Sequence, residues 1–265
     1  MRIVSWNING IRSVLERGFL DWLGRETADL VCLQEVKSSP TQLPAVFRNN
    51  PDWTGHWNHA ERAGYSGTGI LVRNRSSAVP FWVERGFGHP AYEVEGRTLV
   101  ADLDDLLLVC AYFPKGYADD PERLAFKQAY TRDMIAWVRE RHAEGRAVVL
   151  CGDFNIAHRE IDLAHPSENR RTSGFLPAER ALVDGFLDAG LVDVFRTLHP
   201  EGGRYSWWTH HASARERNLG WRIDYFLVSR ALVPKVTAAE IHPEVMGSDH
   251  CPVSLELRSE EHTSE

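Results

Sequence analysis

Ala147-Val148-Val149-Leu150-Cys151-Gly152-Asp153-Phe154-Asn155 is an unbroken apolar run that closes on a glycine, a carboxylate and an amide. The apolar part reads as a strand over residues 147–151, which leaves Asp153 and Asn155 at its end. The same grammar recurs along the chain. Asn7 follows Ile3-Val4-Ser5-Trp6, and Glu35 follows Leu30-Val31-Cys32-Leu33. Asp224 opens the run Tyr225-Phe226-Leu227-Val228, and Asp249-His250 stands just before Cys251-Pro252-Val253. Further strands are expected over residues 69–73, 98–103 and 106–112, besides 2–6, 30–34, 223–228 and 252–257.

Between the strands, helices are expected over residues 10–24, 121–142 and 177–189. In the second, Leu124, Tyr130, Met134, Trp137 and Val138 recur at helical spacing and read as a core face; Gly145 ends it. About eight strands with fewer helices fit an α/β sandwich better than a Rossmann sheet, which needs stricter alternation and a glycine-rich first turn. The 265 residues carry no Gly/Ser-rich or Pro-rich linker, so one domain is expected. Residues 1–257 are assigned to it and 258–265 to an acidic tail, with Glu260-Glu261 a frayed terminus.

With 43% hydrophobic residues there is ample material for a core, and no apolar run approaches the roughly 20 residues that span a bilayer. The amino terminus runs straight into a strand without a secretory pattern, so a cytoplasmic location is expected. Cys32, Cys110, Cys151 and Cys251 each lie in or beside apolar runs with no closely spaced pair, and read as reduced core residues, not zinc ligands. A formal charge of −7 argues against a general nucleic-acid coat protein, but acids gathered around a cation are neutralised locally. One stretch is locally basic. Residues 204–222 hold Arg204, Arg215, Arg217 and Arg222 against Glu216 alone, interleaved with Tyr205, Trp207, Trp208 and Trp221. Phosphate contact and a solvated, aromatic-anchored loop are equal readings of it.

A lone Glu after a strand is ordinarily a cap or a solvated residue, and Asn-x-Asn-Gly is ordinarily a turn. Five strand ends carrying such residues together are another matter. If those ends meet at one edge of a sandwich, carboxylates, amides and an imidazole surround a single cleft on a rigid support. That set suits phosphodiester hydrolysis, in which charge builds on phosphate oxygens and a water must be placed in line with the leaving oxygen. Carboxylate and amide oxygens suit a hard cation, magnesium or manganese.

The chain resembles the exonuclease III group of the endonuclease/exonuclease/phosphatase superfamily. The resemblance rests on Ser5-Trp6-Asn7-Ile8-Asn9-Gly10-Ile11-Arg12, Leu33-Gln34-Glu35-Val36-Lys37, Ala111-Tyr112-Phe113-Pro114, Gly152-Asp153-Phe154-Asn155-Ile156-Ala157, Gly220-Trp221-Arg222-Ile223-Asp224-Tyr225-Phe226 and Gly247-Ser248-Asp249-His250-Cys251-Pro252-Val253, in the group's order. The Gln-Glu, Gly-Asp-x-Asn and Ser-Asp-His elements are shared across the superfamily. Residues 6–12 and 220–225 point to its repair nucleases. The resemblance implies a four-layer α/β sandwich, two mixed β-sheets packed face to face with helices outside. It implies a magnesium-dependent enzyme, with manganese as substitute, acting as a monomer on duplex DNA that carries abasic sites or blocked 3′ ends. Cleavage 5′ to an abasic site would be accompanied by 3′-phosphodiesterase, 3′-phosphatase and 3′-to-5′ exonuclease activity.

Roles carry over by position. Glu35 would bind the metal with Asn7 beside it, and Asp249 would act through the metal's outer shell. Asp153 would orient and deprotonate the attacking water, and Asn155 would hold that water or the phosphate. His250, paired with Asp224, would contact the phosphate, as would Tyr112 and Asn169. Trp207, Trp221 and Ile223 would form the pocket for a flipped-out abasic sugar, whereas Trp208 reads as core. Asn9 stands where some relatives carry an acid, Thr172 where some carry Asn, and residues 115–120 match no DNA-inserting loop. Two other readings compete: a phosphatase or lipid phosphodiesterase of the same superfamily, and a catalytically inert nucleic-acid-binding module. The segment 221–225 speaks against the first, and a competent residue at every expected catalytic position against the second.

Overall fold

The period-2 pattern of the central strands fixes the layering. In the computed structural model, which describes residues 1–117, 119–211 and 213–258, the strand Leu106–Tyr112 sends Leu106, Leu108 and Cys110 to one face and Leu107, Val109 and Ala111 to the other. Both sets are buried, so the strand has a layer on each side.

The strands, in chain order, are β1 (Arg2–Asn7), β2 (Leu30–Gln34), β3 (Trp53–Asn58), β4 (Thr68–Arg73), β5 (Trp82–Arg85), β6 (Thr98–Asp102), β7 (Leu106–Tyr112), β8 (Ala147–Asp153), β9 (Leu191–Asp193), β10 (Trp207–Trp208), β11 (Gly220–Trp221), β12 (Asp224–Ser229), β13 (Val236–Ile241) and β14 (Val253–Leu257). One six-stranded sheet has the order β13-β14-β1-β2-β4-β3, the other β5-β6-β7-β8-β12-β9, and β10-β11 is a short ribbon. Both large sheets are mixed: β1–β2 and β7–β8 are parallel, while β1–β14 and β8–β12 are antiparallel. Ile3, Cys32 and Ile70 of the first sheet meet Leu108, Val149, Cys151 and Phe226 of the second in one apolar layer. All four cysteines are buried and free.

Helices cover the outer faces. The helices α1 (Ile11–Leu15), α2 (Phe19–Arg25) and α3 (Ala45–Arg48) close the first sheet, where Val14, Phe19, Leu23 and Phe47 pack on Val4, Trp6 and Val31. After the short α4 (Pro90–Glu93), α5 (Pro121–Ala143) and α6 (Pro177–Asp188) close the second, with Tyr130, Met134, Val138 and Phe186 against Val109, Val148 and Leu150. A further short α-helix is α7 (Val194–Leu198). Each large aliphatic or aromatic side chain so buried contributes on the order of 1.5–3 kcal/mol. The four-layer α/β sandwich is thus the fold, as expected.

Three details differ from the sequence reading. The helix expected over residues 10–24 is two helices, because Gly18 turns with φ 89° between them. Leu124 is only partly buried, while Lys127, on the same helix, is fully buried. The strands β3, β5, β9, β10, β11 and β13 were not expected; β3 is polar and half-exposed and β13 alanine-rich, so neither has the apolar run that marks a strand. Residues 259–265, which contain the expected frayed acidic end, lie outside the described residues.

Candidate active site

Register brings the polar strand ends to one edge. Asp224 pairs with Asp153 across the antiparallel β12–β8 ladder, and Tyr112 pairs with Asp153 across the parallel β7–β8 ladder. In the facing sheet, Asn7 pairs with Gln34 at the end of β1–β2, which places Glu35 one residue beyond. Because β14 runs antiparallel to β1, the residues preceding it, Asp249 and His250, arrive at the same edge. The indole Nε1 of Trp6 holds the His250 carbonyl at 3.1 Å, and Ser248 Oγ holds the Asn7 carbonyl at 2.8 Å. Glu35 and Asn155 both adopt left-handed backbone, with φ of 52° each, which aims their side chains off the strand ends.

Asn7 stands at the centre. Its Nδ2 donates to Glu35 Oε1 and to Asp153 Oδ2, each at 2.9 Å, and its Oδ1 accepts the Asn9 N–H at 3.0 Å. It therefore offers its nitrogen, not its oxygen, to the two carboxylates. Asn155 donates to Asp153 through its backbone at 2.8 Å and its amide at 3.3 Å. His250 Nδ1 lies 2.9 Å from Asp224 Oδ2, and its Nε2 lies 3.8 Å from Asp153 Oδ2. Ser206 Oγ donates to the same Asp224 oxygen at 2.6 Å and accepts the N–H groups of Ile223 and Asp224. Tyr112 is buried, and burial with Glu35 and Asp153 nearby pushes its phenol well above the ordinary value.

These contacts set the charges. Burial disfavours a charged imidazole, but Asp224 and Asp153 outweigh it and raise His250 to about 10, so it is an imidazolium at neutral pH. Burial, with Asp224 and Glu35 nearby, pushes Asp153 up to about 7 against the pull of His250. Burial would also raise Glu35, but Lys37, whose Nζ lies 2.7 Å from Oε2, and Asn7 hold it below its ordinary value. Among the described residues, Glu35, Asp153 and His250 form the one cluster in which three potential ligand atoms come within 4.8 Å of one another. With His250 protonated, the available donors are carboxylate oxygens, and crowded carboxylates in low dielectric fit a hard divalent cation that relieves their repulsion.

Asp249 stands outside that cluster: its Oδ1 accepts from Asn9 Nδ2 at 2.9 Å and its Oδ2 from Trp207 Nε1 at 3.0 Å. The cleft above is lined by Glu35, Asn155, Asp249 and His250 together with Trp207, Trp221 and Ile223. The two indoles meet edge to face, with centroids 6.4 Å apart, and Phe175 and Leu163 back Ile223. Trp208 is core.

One expected contact is not in the cleft. Asn169 donates to the His165 carbonyl at 2.8 Å and accepts from Thr172 Oγ1 at 3.1 Å, so its amide closes a surface turn, and Thr172 lines the cleft instead. The basic stretch is also largely consumed by structure. Arg222 is buried between Asp162 and Asp193, Arg204 pairs with Glu240, and Arg215 holds the carbonyls of Pro243, Val245 and Ser248. Lys115, Gly116, Lys127 and Ser173 line the cleft without having been singled out. Lys115 follows the Tyr-Phe-Pro motif and could have been found from it; Lys127 lies in a helical pattern that gave no sign of it.

The Endonuclease/Exonuclease/phosphatase family matches residues 4–250. The chain is 40% identical over 257 residues to an exodeoxyribonuclease of Bacillus subtilis (strain 168), covering 96% of this chain and 98% of that protein. It is 39% identical over 260 residues to the DNA repair nuclease APEX1 of Danio rerio, covering 97% and 82%. In structure it resembles the 3′-5′ exonuclease NExo of Neisseria meningitidis, with a TM-score of 0.88, 28% identity, and 98% and 100% of the two chains covered. A sandwich whose strand ends gather these groups at one edge, matched over nearly its whole length, belongs to the endonuclease/exonuclease/phosphatase family and, within it, to the hydrolases of the exonuclease III type.

Proposed function

We propose that this protein is a DNA-repair nuclease that hydrolyses the phosphodiester 5′ to abasic sites in duplex DNA, and that it processes 3′ ends as well, with magnesium or manganese as its cation. The observation that carries the reading is the junction of two parts: a carboxylate and imidazolium cluster, and directly beside it a wall of Trp207, Trp221 and Ile223. The relatives support it, since an AP endonuclease of Leishmania major and one of Archaeoglobus fulgidus share the fold with TM-scores of 0.86 and 0.87.

Glu35 would hold the cation, with Asp153 within reach and Asp249 at the outer shell. When bound, the cation supplies charge stabilisation to the phosphoryl oxygens and the leaving oxygen. Asp153, held by Asn7 and Asn155, takes a proton from the attacking water. Asn155, fixed to Asp153, holds the water in line. His250, charged because of Asp224, donates through Nε2 to a phosphate oxygen, where negative charge grows, and Tyr112 donates nearby. Water's oxygen bonds to phosphorus, the bond to the 3′ oxygen breaks and that oxygen takes a proton from solvent, so the products are a 3′ hydroxyl and a 5′ phosphate on the abasic sugar. That sugar has no base to unstack, so it leaves the helix at low cost to lie against the indoles.

The protein is expected to act as a monomer in the cytoplasm. Among the described residues no helix is long and apolar enough to cross a membrane. Assaying an abasic duplex, an undamaged duplex and an inositol polyphosphate side by side tests the assignment: abasic incision should dominate, and preferential turnover of the inositol compound would refute it.

A further inference from the structure

Helix α5 carries a charged side chain on its buried face. Lys127 is 0% exposed, and its Nζ donates to Glu179 of α6 at 2.5 Å and to the backbone carbonyl of Asn155 at 2.8 Å. Glu179 is equally buried and uses both oxygens: Oε1 also accepts from Ser173 Oγ at 3.0 Å, and Oε2 accepts the N–H groups of Gly174 at 2.6 Å and Leu176 at 3.2 Å. A buried ion pair stabilises a fold little better than apolar residues of the same volume, so its use here calls for another reason. The groups it holds supply one. Asn155 is in left-handed backbone, which asparagine tolerates better than other side chains, and the Lys127 bond to its carbonyl helps hold it there. Gly174 sits between Asn155 and the aromatic wall: a Cβ built on it would come within 3.1 Å of the Asn155 carbonyl oxygen and 3.3 Å of the Trp221 ring. Its carbonyl also accepts the Ala157 N–H at 2.8 Å.

We propose that Lys127, with Glu179, is a positioning residue that locks the backbone of Asn155 and sets its distance from the Trp221 wall, so that turnover, and not DNA affinity, depends on it. The inference rests on the nuclease reading above. It predicts that Lys127→Met lowers kcat for abasic incision on the order of 10–100-fold through misplacement of the water-holding amide, with KM within about twofold of the parent. In an Asn155→Ala background the same change should cost less than about threefold, because the group Lys127 acts through is gone. An equal loss in both backgrounds, or a raised KM with kcat unchanged, would overturn the proposal, the latter by showing direct phosphate contact. If Lys127→Met does not fold because it strands Glu179, the double variant Lys127→Met/Glu179→Gln, which leaves neither charge of the pair behind, is compared with the parent instead. Hydrogen exchange judges the positioning role independently of any activity. The Gly174 amide should exchange at least about tenfold faster in the variant, while amides in the middle of α5 and α6 stay protected. Unchanged exchange at Gly174 would also overturn it, whereas a parent protein without abasic incision but with this exchange pattern would condemn the nuclease reading and leave the positioning intact.

Discussion

Replacing Arg222 tests how the site is mounted. The guanidinium is 1% exposed, donates to Asp162 Oδ1 at 2.7 Å through Nε and to Asp193 at 3.2 and 2.7 Å through its two Nη groups, and stacks 4.4 Å from the Tyr225 ring. It immediately precedes Ile223 and Asp224, so the network sets where β12 begins. In Arg222→Met, Asp162 keeps its ion pair with Arg196, but Asp193 loses its charged partner while remaining 8% exposed. Stranding one partner of a buried pair costs on the order of 3–5 kcal/mol. That is a large share of the roughly 5–15 kcal/mol available to a folded domain. The pH dependence has a definite sign. Burial would raise Asp162, but Arg222 first and Arg196 second outweigh it and hold the carboxyl below 3.8. Its contribution to stability is therefore present above the unfolded value of about 3.9 and lost only as pH falls through the lower folded value. Without Arg222 the burial penalty is less opposed, and acid unfolding should begin at higher pH. Urea unfolding followed by fluorescence of the nine Trp, at neutral pH and down an acid series, measures both. A loss below about 1 kcal/mol with an unchanged acid limb would show that the Arg222 network does not hold β12 in place.

Other perturbations test the chemistry. Asp224→Asn and His250→Asn should each cripple turnover, and the double variant should lose little more than either alone; additive losses, measured in single-turnover incision, would mean that the 2.9 Å pair does not act as a unit. Asp153→Asn should lower kcat with DNA affinity nearly unchanged, since it removes a base needed in the transition state; lost binding with intact turnover would reverse that role. Trp221→Ala or Trp207→Ala should reduce the preference for abasic over undamaged duplex by about 1–3 kcal/mol. Equal preference in the folded variants and the parent would leave these indoles a packing role only.

Much of the site was legible because it is written at strand ends. Asp153, Glu35, Asp224 and His250 each adjoin an apolar run, and the sheet carries them to one edge without help from long loops. Lys127 and Glu179 were not legible. They lie 52 residues apart on separate helices, and a lysine in an amphipathic pattern looks solvated until its partner is placed. Arg222 misled for the converse reason: its acids, Asp162 and Asp193, lie far along the chain, so it counted as surface charge. Asn169 was placed by resemblance alone, and its bonds within the 165–172 turn were invisible to any residue pattern.

On the proposed reading, Glu35 and its neighbours form a cation-dependent centre beside a pocket for a baseless sugar. This is tested most directly by incising a duplex with a single abasic site in chelator, and then with magnesium or manganese restored, for the parent and Glu35→Ala. There should be no incision in chelator, recovery with either metal, cleavage on the 5′ side leaving a 3′ hydroxyl, and a need for more metal in Glu35→Ala. Full activity in chelator, or an unchanged metal requirement in Glu35→Ala, would contradict it.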